Sequence, residues 1–461
     1  MSLFSSIATA STALKVFSSA LGTDQANVSN SATPGFAALR ATIQPIGVSS
    51  PGFPVSDSVE VTSTGSLRAD ASVQSVSSQA AESQTSANQL ESVNKLFDIT
   101  GSSGILASLN SFSAAFSRLT ESPNDTVQRS AALAAAGGVV SAFQNVSGSL
   151  DRQRSAVDSQ ITSVVADINR LAGQIRQFNV AVRGQSALDP GADAGLRSAL
   201  DQLSSLTGIT VLPAADGTVS VLAGGQQPLV IGDHVYKLSA DSSASPGSQV
   251  SSSGGGNSPP SYGGQLGALV DFRNGTLQTL LGGNGTSGTL NDLAAGFASK
   301  VNALLTSGVT ATGTSGTPLF VYDTTNGSNA ARTLAIDPGA SADSLALAST
   351  GASPQSNGVA AALAGLASST KAGDQINGLP AEGLFASIAA FVGQQLSDAR
   401  GQSAVDQTAV TSAQAARQQI SGVSLDQEAV SITAYQRSYQ ASAKLISILD
   451  QLTSDEVNLI K

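Results

Sequence analysis

The sequence predicts a mostly α-helical protein with an inserted β-rich domain, from three observations. Apolar residues recur at steps of three and four along both ends of the chain. A strict heptad runs through residues 157–182, and between 208 and 378 the pattern changes to short β-prone runs parted by glycine turns. Together these describe a long helical rod or coiled coil built from both chain ends, with the β-containing domain inserted at its tip.

The first stripe holds Leu3, Ile7, Ala10, Leu14, Phe17, Leu21 and Val28 and predicts a helix from Ser2 to Asn30. Ser31-Ala-Thr-Pro-Gly35 ends it by joining a helix-breaking proline to a glycine free to take positive φ. Asn27 and Asn30 carry amides able to satisfy carbonyls left free at that exit. Residues 37–76, with alternation such as Ser58-Val-Glu-Val-Thr62, read as strands and irregular chain, and helices are expected over 76–98, 106–119 and 126–149. The heptad Val157, Ile161, Val164, Ile168, Leu171, Ile175, Phe178 and Val182 follows; at about 1.5 Å per residue its seam is roughly 40 Å long and needs neighbouring helices to cover it.

Ile209–Leu212, Val219–Leu222, Leu229–Ile231 and Leu319–Tyr322 are the clearest strands, and one amphipathic helix, Leu290–Leu305, interrupts them. Residues 241–264, rich in Gly, Ser and Pro, have almost nothing to bury and are expected to form a mobile exposed loop. Helical periodicity resumes after Pro380 and reaches Ile420; Ser421-Gly-Val-Ser424 breaks it. A final helix then begins at Leu425, with its seam on Ile432, Tyr435, Tyr439, Ile446, Leu449 and Ile460 and with Leu445, Leu452 and Leu459 beside it. The domain plan is therefore 1–36 as an N-terminal polymerisation helix, 37–207 as extended segment and rod, and 208–378 as β-rich outer domain. Residues 379–423 form the returning rod helix and 424–461 the C-terminal polymerisation helix.

Composition narrows function. Charged residues make up only 12% of the chain, about half the usual share, and 22 basic against 32 acidic side chains leave a net charge of −10 with no basic cluster. Nucleic acid and anionic membrane are poor partners for such a surface, and no apolar run is long enough to insert in a bilayer. Cysteine is absent and His234 is the single histidine, so thiol nucleophiles, disulfides and Cys/His metal sites are excluded. His234 reads as a strand-edge residue beside a Gly-Asp turn. A surface hydrolase would need paired carboxylates, for which Asp216, Asp233 and Asp271 are the candidates, each in a turn or strand-end context. No cofactor or metal site is expected. The first thirty residues lack the basic region, apolar block and cleavage site of a secretory signal.

Two end motifs go beyond periodicity. Asn27-Val-Ser-Asn-Ser-Ala-Thr-Pro-Gly-Phe36 stands at one terminus, and Gly422-Val-Ser-Leu-Asp-Gln-Glu428 with Tyr435-Gln-Arg-Ser-Tyr-Gln-Ala-Ser-Ala443 at the other. Paired in this way they closely resemble the bacterial flagellar axial proteins. Further segments, Phe116-Ser-Arg-Leu119, Pro123, Arg129, Asn169, Asn179, Gly225-Gln-Gln-Pro-Leu-Val230, Gly264–Arg273 and Leu293–Asn302, are similar to the hook-associated members of that family. Phe36 in place of tyrosine and Gln427 in place of an acid are mild departures.

That resemblance implies a non-enzymatic structural adaptor polymerising as a short tubular segment between hook and filament and required for filament assembly. The hook subunit and flagellin are nearer alternatives than any hydrolase; the helical rod argues against the former and the lack of a Leu-Arg-Ile-Asn segment against the latter. The resemblance also implies type III export without a cleaved signal peptide and an extracellular place on the flagellum. Its partners would be copies of itself, the hook protein below, the second junction protein above, and a cytosolic export chaperone on the C-terminal helix. The expected self-assembly interface comprises Leu3, Ile7, Leu14, Phe17, Leu21, Val28, Ile432, Tyr435, Tyr439, Ile446, Leu449, Leu452 and Ile460, with Asn27, Asn30, Pro34 and Gly35 as the helix-end motif.

Overall fold

The structure, a computed structural model, describes residues 3–43, 59–100, 102–183, 190–242, 247–254, 262–283, 286–325, 327–351 and 356–459. In chain order the elements are α1 (Leu3–Asn30), β1 (Leu39–Ile43), β2 (Val59–Ser63), α2 (Leu67–Asn94), α3 (Gly104–Glu121), α4 (Thr126–Arg183) and α5 (Pro190–Leu206). Strands β3 (Ile209–Pro213), β4 (Val219–Ala223), β5 (Gln227–Ile231), β6 (His234–Val235), β7 (Leu238–Asp241) and β8 (Gln249–Ser252) follow. Then come α6 (Gly264–Asp271), a π-turn, α7 (Leu277–Leu281), α8 (Thr289–Thr306), β9 (Gly308–Val309), β10 (Phe320–Val321), α9 (Ala330–Thr333), β11 (Ala335–Ile336) and β12 (Ala348–Ser349). Helices α10 (Gly358–Gly365), α11 (Ala381–Ser421) and α12 (Leu425–Leu459) complete the chain. The protein is mostly helical, its terminal helices are paired, and its small sheets other than β1–β2 lie in the middle of the sequence, as its periodicity predicts.

The chain forms two compact units. One holds residues 1–78, 170–235 and 407–461, the other 79–169 and 236–406, so α2, α4 and α11 each contribute to both. In the first unit α1 packs along α12 and against β1, which pairs antiparallel with β2. A four-stranded antiparallel sheet, β3-β4-β5-β6, belongs to the same unit. The second unit buries a phenylalanine cluster: Phe112 lies 4.5 Å from Phe116 and 5.3 Å, edge-on, from Phe297, which in turn meets Phe320 at 6.3 Å. Every heptad residue from Val157 to Ile175 is buried, as a seam with neighbours requires.

A recurring device ties helices to extended chain. An asparagine on a helix accepts from the backbone N–H and donates to the backbone C=O of one residue, replacing the strand partner that residue lacks. Asn169 does this with Leu238 (2.9 and 2.9 Å), Asn179 with Val219 (2.8 and 2.7 Å), and Asn274, in the π-turn, with Ser248 (2.9 and 2.8 Å). Asn179 also donates to the Gly232 carbonyl at 2.7 Å.

Three expectations need correction. Helix α2 starts at Leu67 rather than near residue 76, because Ser66 opens it: the Ala69 amide donates to the Ser66 hydroxyl and the Asp70 amide to the Ser66 carbonyl. Residues 126–183 form one continuous helix through Gly137, Gly138 and Gly148, since no proline interrupts the stretch and the ladder can run on through glycine. The 241–264 segment is not free of buried groups: β8 pairs with β7, Val250 and Tyr262 are buried, and the Tyr262 hydroxyl donates to the Val250 carbonyl at 2.8 Å. Residues 243–246 and 255–261 of that expected loop lie outside the described residues.

Candidate assembly interface

The N-terminal helix meets the C-terminal helix through Phe17 and Tyr435, whose ring centroids are 6.4 Å apart at 33°. On α1 the fully buried positions are Ala10, Val16, Ala20, Thr23, Asp24 and Asn27. Of these only Ala10 is on the expected seam; the other five fall beside it. Ile7, Leu14, Phe17 and Leu21 are only half-buried, and Val28 is exposed. Small residues at Ala10 and Ala20 let the chain pack closely there, which leaves the larger aliphatic groups on the flank.

Helix α12 follows its predicted seam more closely: Ile432, Tyr435, Ile446 and Leu449 are half-buried, with Tyr439 exposed at the margin. One helical neighbour cannot cover it, and among the described residues no α12 side chain is fully buried. Leu452, expected on the interface, is 48% exposed and belongs to a second strip. With Val430 (72%), Leu445 (50%) and Ile448 (53%) it forms, with Ala434 and Ala441, a run at helical spacing on the face turned away from the seam. The side chain of Leu3 and residue Ile460 lie outside the described residues.

The helix-end motif is a joint. Asn27, 1% exposed, does not cap its own helix; it clamps Leu39 of β1, accepting from the Leu39 N–H at 2.8 Å and donating to its carbonyl at 2.9 Å. The same amide donates to Glu428 Oε1 at 3.1 Å, so one side chain joins α1, β1 and α12. Asn30 caps as expected, donating to the Ala26 carbonyl at 2.9 Å. Pro34 is exposed, and Gly35 turns the chain with φ 78°. A β-carbon at Gly35 would stand 2.4 Å from the Ala194 carbonyl oxygen of α5, so only glycine fits. Beyond the turn the Ala38 amide donates to the Ser421 carbonyl at 2.8 Å, tying the start of the chain to the end of α11.

Beneath this joint lies a charge network. Arg197 pairs with Asp70 and with Asp193 (3.2 Å), and Arg417 with Asp201 (2.8 Å) and Asp70 (3.6 Å). Burial outweighs both arginines and pushes the Asp70 carboxyl above its ordinary range. The sequence pattern gave no sign of this network, because its members are scattered over α2, α5 and α11.

The catalytic candidates do not converge. Asp216 and Asp233 flank the Arg183 guanidinium at 3.4 and 3.8 Å, while Asp271 belongs to the other unit. Hydrogen bonds from Thr218 hold Asp216 below the usual carboxylate range, and the backbone amide of Asp233 itself, with His234 next, does the same for Asp233. A general acid needs the opposite shift. His234 is exposed and contacts Asp233 at 2.9 Å.

The family described as "Flagellar hook-associated protein FlgK helical domain" matches residues 71–320, and "Flagellar basal body rod FlgEFG protein C-terminal" matches residues 414–459. Flagellar hook-associated protein 1 of Bacillus subtilis is 26% identical over 99% of this chain and 98% of its own length. The protein of the same name from Salmonella typhimurium is 30% identical over 51% of this chain and 44% of its own. The solved flagellar hook junction protein FlgK from Burkholderia pseudomallei shares the fold, with a TM-score of 0.65 at 17% identity over 76% of this chain and all of that one. Among the described residues no helix is long and apolar enough to cross a membrane. With its paired terminal helices and a family match over more than half its length, the chain belongs to the flagellar hook-associated protein FlgK family, structural and non-enzymatic proteins of the hook-filament junction.

Proposed function

We propose that this chain polymerises through α1 and α12 as a short tubular segment at the distal end of the hook, joining hook to filament. The observation that carries the reading is the second apolar strip of α12, Val430, Leu445, Ile448 and Leu452, left uncovered after α1 has taken the first. Two helices alone bury too little to account for a helix of this length with apolar groups on two faces; identical neighbours supply the missing cover. The half-buried flank of α1, with Ile7, Leu14 and Leu21, is a complementary surface on the same pair.

In this reading the chain contacts hook protein on one side and the second junction protein on the other. Before assembly it is exported by the flagellar type III route, with a cytosolic chaperone on α12. The test is a pair of strains, one with residues 429–461 deleted and one carrying Leu445→Glu with Ile448→Glu. Both should build hooks, lack filaments and shed filament subunits into the medium. Normal filaments in the strip variant would overturn the assignment of that face.

A further inference from the structure

The contact between the terminal helices contains an arrangement that neutral packing does not explain. Asp24 of α1 is buried, and it faces Glu428 in the first turn of α12. Asp24 Oδ2 and Glu428 Oε2 are both sealed from solvent with no hydrogen-bond partner. Ionised carboxylates only accept, so two of them placed together have no donor unless one is protonated. Among the described residues neither acid is in an ion pair; Arg40 on β1 and Glu60 on β2 are exposed. The remaining groups facing the pair are Asn27, which donates to Glu428 Oε1, and Tyr435, whose hydroxyl is pushed above its ordinary range by burial and by the two acids.

We propose that Asp24 and Glu428 form a proton-dependent latch between the terminal helices, closed while the pair shares one proton and loosened when both acids are ionised. The proposal rests on the reading of α1 and α12 as the assembly elements and adds their regulation. Glu428 already accepts from Asn27 while Asp24 Oδ2 faces no donor, so the shared proton sits on Asp24. Burial, with Glu428 beside it, holds the Asp24 carboxyl up to about 6. An acid whose value is raised in the paired state favours pairing at low pH and loses that contribution as the pH rises through the raised value. Pairing is therefore strongest in mildly acidic solution. In neutral medium the latch yields, and both helices become easier to hand over to neighbouring copies.

The test is amide hydrogen exchange on the full-length chain, corrected for intrinsic rates, following residues 10–27 at about pH 5 and about pH 7.5. Protection should fall about tenfold between the two in the native chain. Asp24→Asn supplies a permanent donor to Glu428 and should give protection that no longer depends on pH; Glu428→Gln should do the same from the other side. Exchange in α3 serves as the control that each variant is folded. Equal protection of the native chain at both pH values, a variant that keeps the tenfold fall, or no protection of residues 10–27 at either pH would each overturn the latch. The filament assay on Leu445→Glu with Ile448→Glu is independent of this outcome, so the latch can fail while the assembly surface stands.

Discussion

Replacing Asn27 with alanine removes a side chain that holds three elements together, and the cost can be worked from its partners. The amide makes two hydrogen bonds to the Leu39 backbone and one to Glu428, in a site where Asn27 is 1% and Leu39 9% exposed. Each such bond contributes about 1 kcal/mol net, but a buried group left without a partner costs about 1–3 kcal/mol, and here the Leu39 N–H and C=O are both orphaned. Water can enter beside the exposed Arg40 and recover part of this, so a loss of roughly 3–5 kcal/mol is expected, a large share of the about 5–15 kcal/mol of a typical domain. The assay is urea unfolding together with exchange of the Leu39 amide. A loss below about 1 kcal/mol with unchanged exchange at Leu39 would refute the reasoning. Asn27→Asp sharpens it: the acceptor for the Leu39 N–H survives, the donor is lost, and a third acid joins Asp24 and Glu428. Its own value would be raised in the folded state, so that variant should lose further stability as the pH rises through the raised value.

Gly35→Ala should cost about 2–4 kcal/mol in thermal melts, since it combines positive φ with a β-carbon inside contact distance of the Ala194 carbonyl. Arg129, 3% exposed, donates to the carbonyls of Pro123 (2.7 Å), Ala342 (2.8 Å) and Leu345 (3.0 Å). Arg129→Ala should therefore destabilise the second unit by about 3 kcal/mol in urea, and Arg129→Lys should recover little, because an ammonium cannot reproduce the forked geometry.

What the sequence made legible follows from how each segment buries itself. The heptad of α4, the bounds of α1 and α11, and strands β3 to β5 are driven by apolar side chains at fixed spacing, and such spacing can be read directly. Helix α2 is different. Its buried positions include Gln74, Ser78, Ser83 and Gln89, and the last two are satisfied by partners far along the chain: Ser83 donates to Asp406 at 2.7 Å, and Gln89 joins Gln153 and Gln160 at 2.6 and 2.9 Å. A polar inward face has no hydropathy period, so the first turns of α2 carry no signal in the sequence. In the assembly region Asn27, Asn30 and Gly35 could be singled out from their motif, but the Leu39 and Glu428 partners could not, because they depend on which distant backbone the fold brings alongside. The stripe of α1 was readable as apolar; that its smaller residues would turn inward was not.

The carboxamide clamps at Asn169, Asn179 and Asn274 grip main chain alone, and that at Asn27 adds to its main-chain pair a single side-chain bond, to Glu428. Nothing in these grips depends on the identity of the side chain at Leu39, Leu238, Val219 or Ser248, so those positions can drift under other pressures without undoing the joints. Mutational tolerance should accordingly be lopsided across each clamp, permissive on the held strand and strict on the asparagine, where even glutamine, one methylene longer, would miss its pair of atoms. These clamps are fasteners that ask for a single fixed residue each.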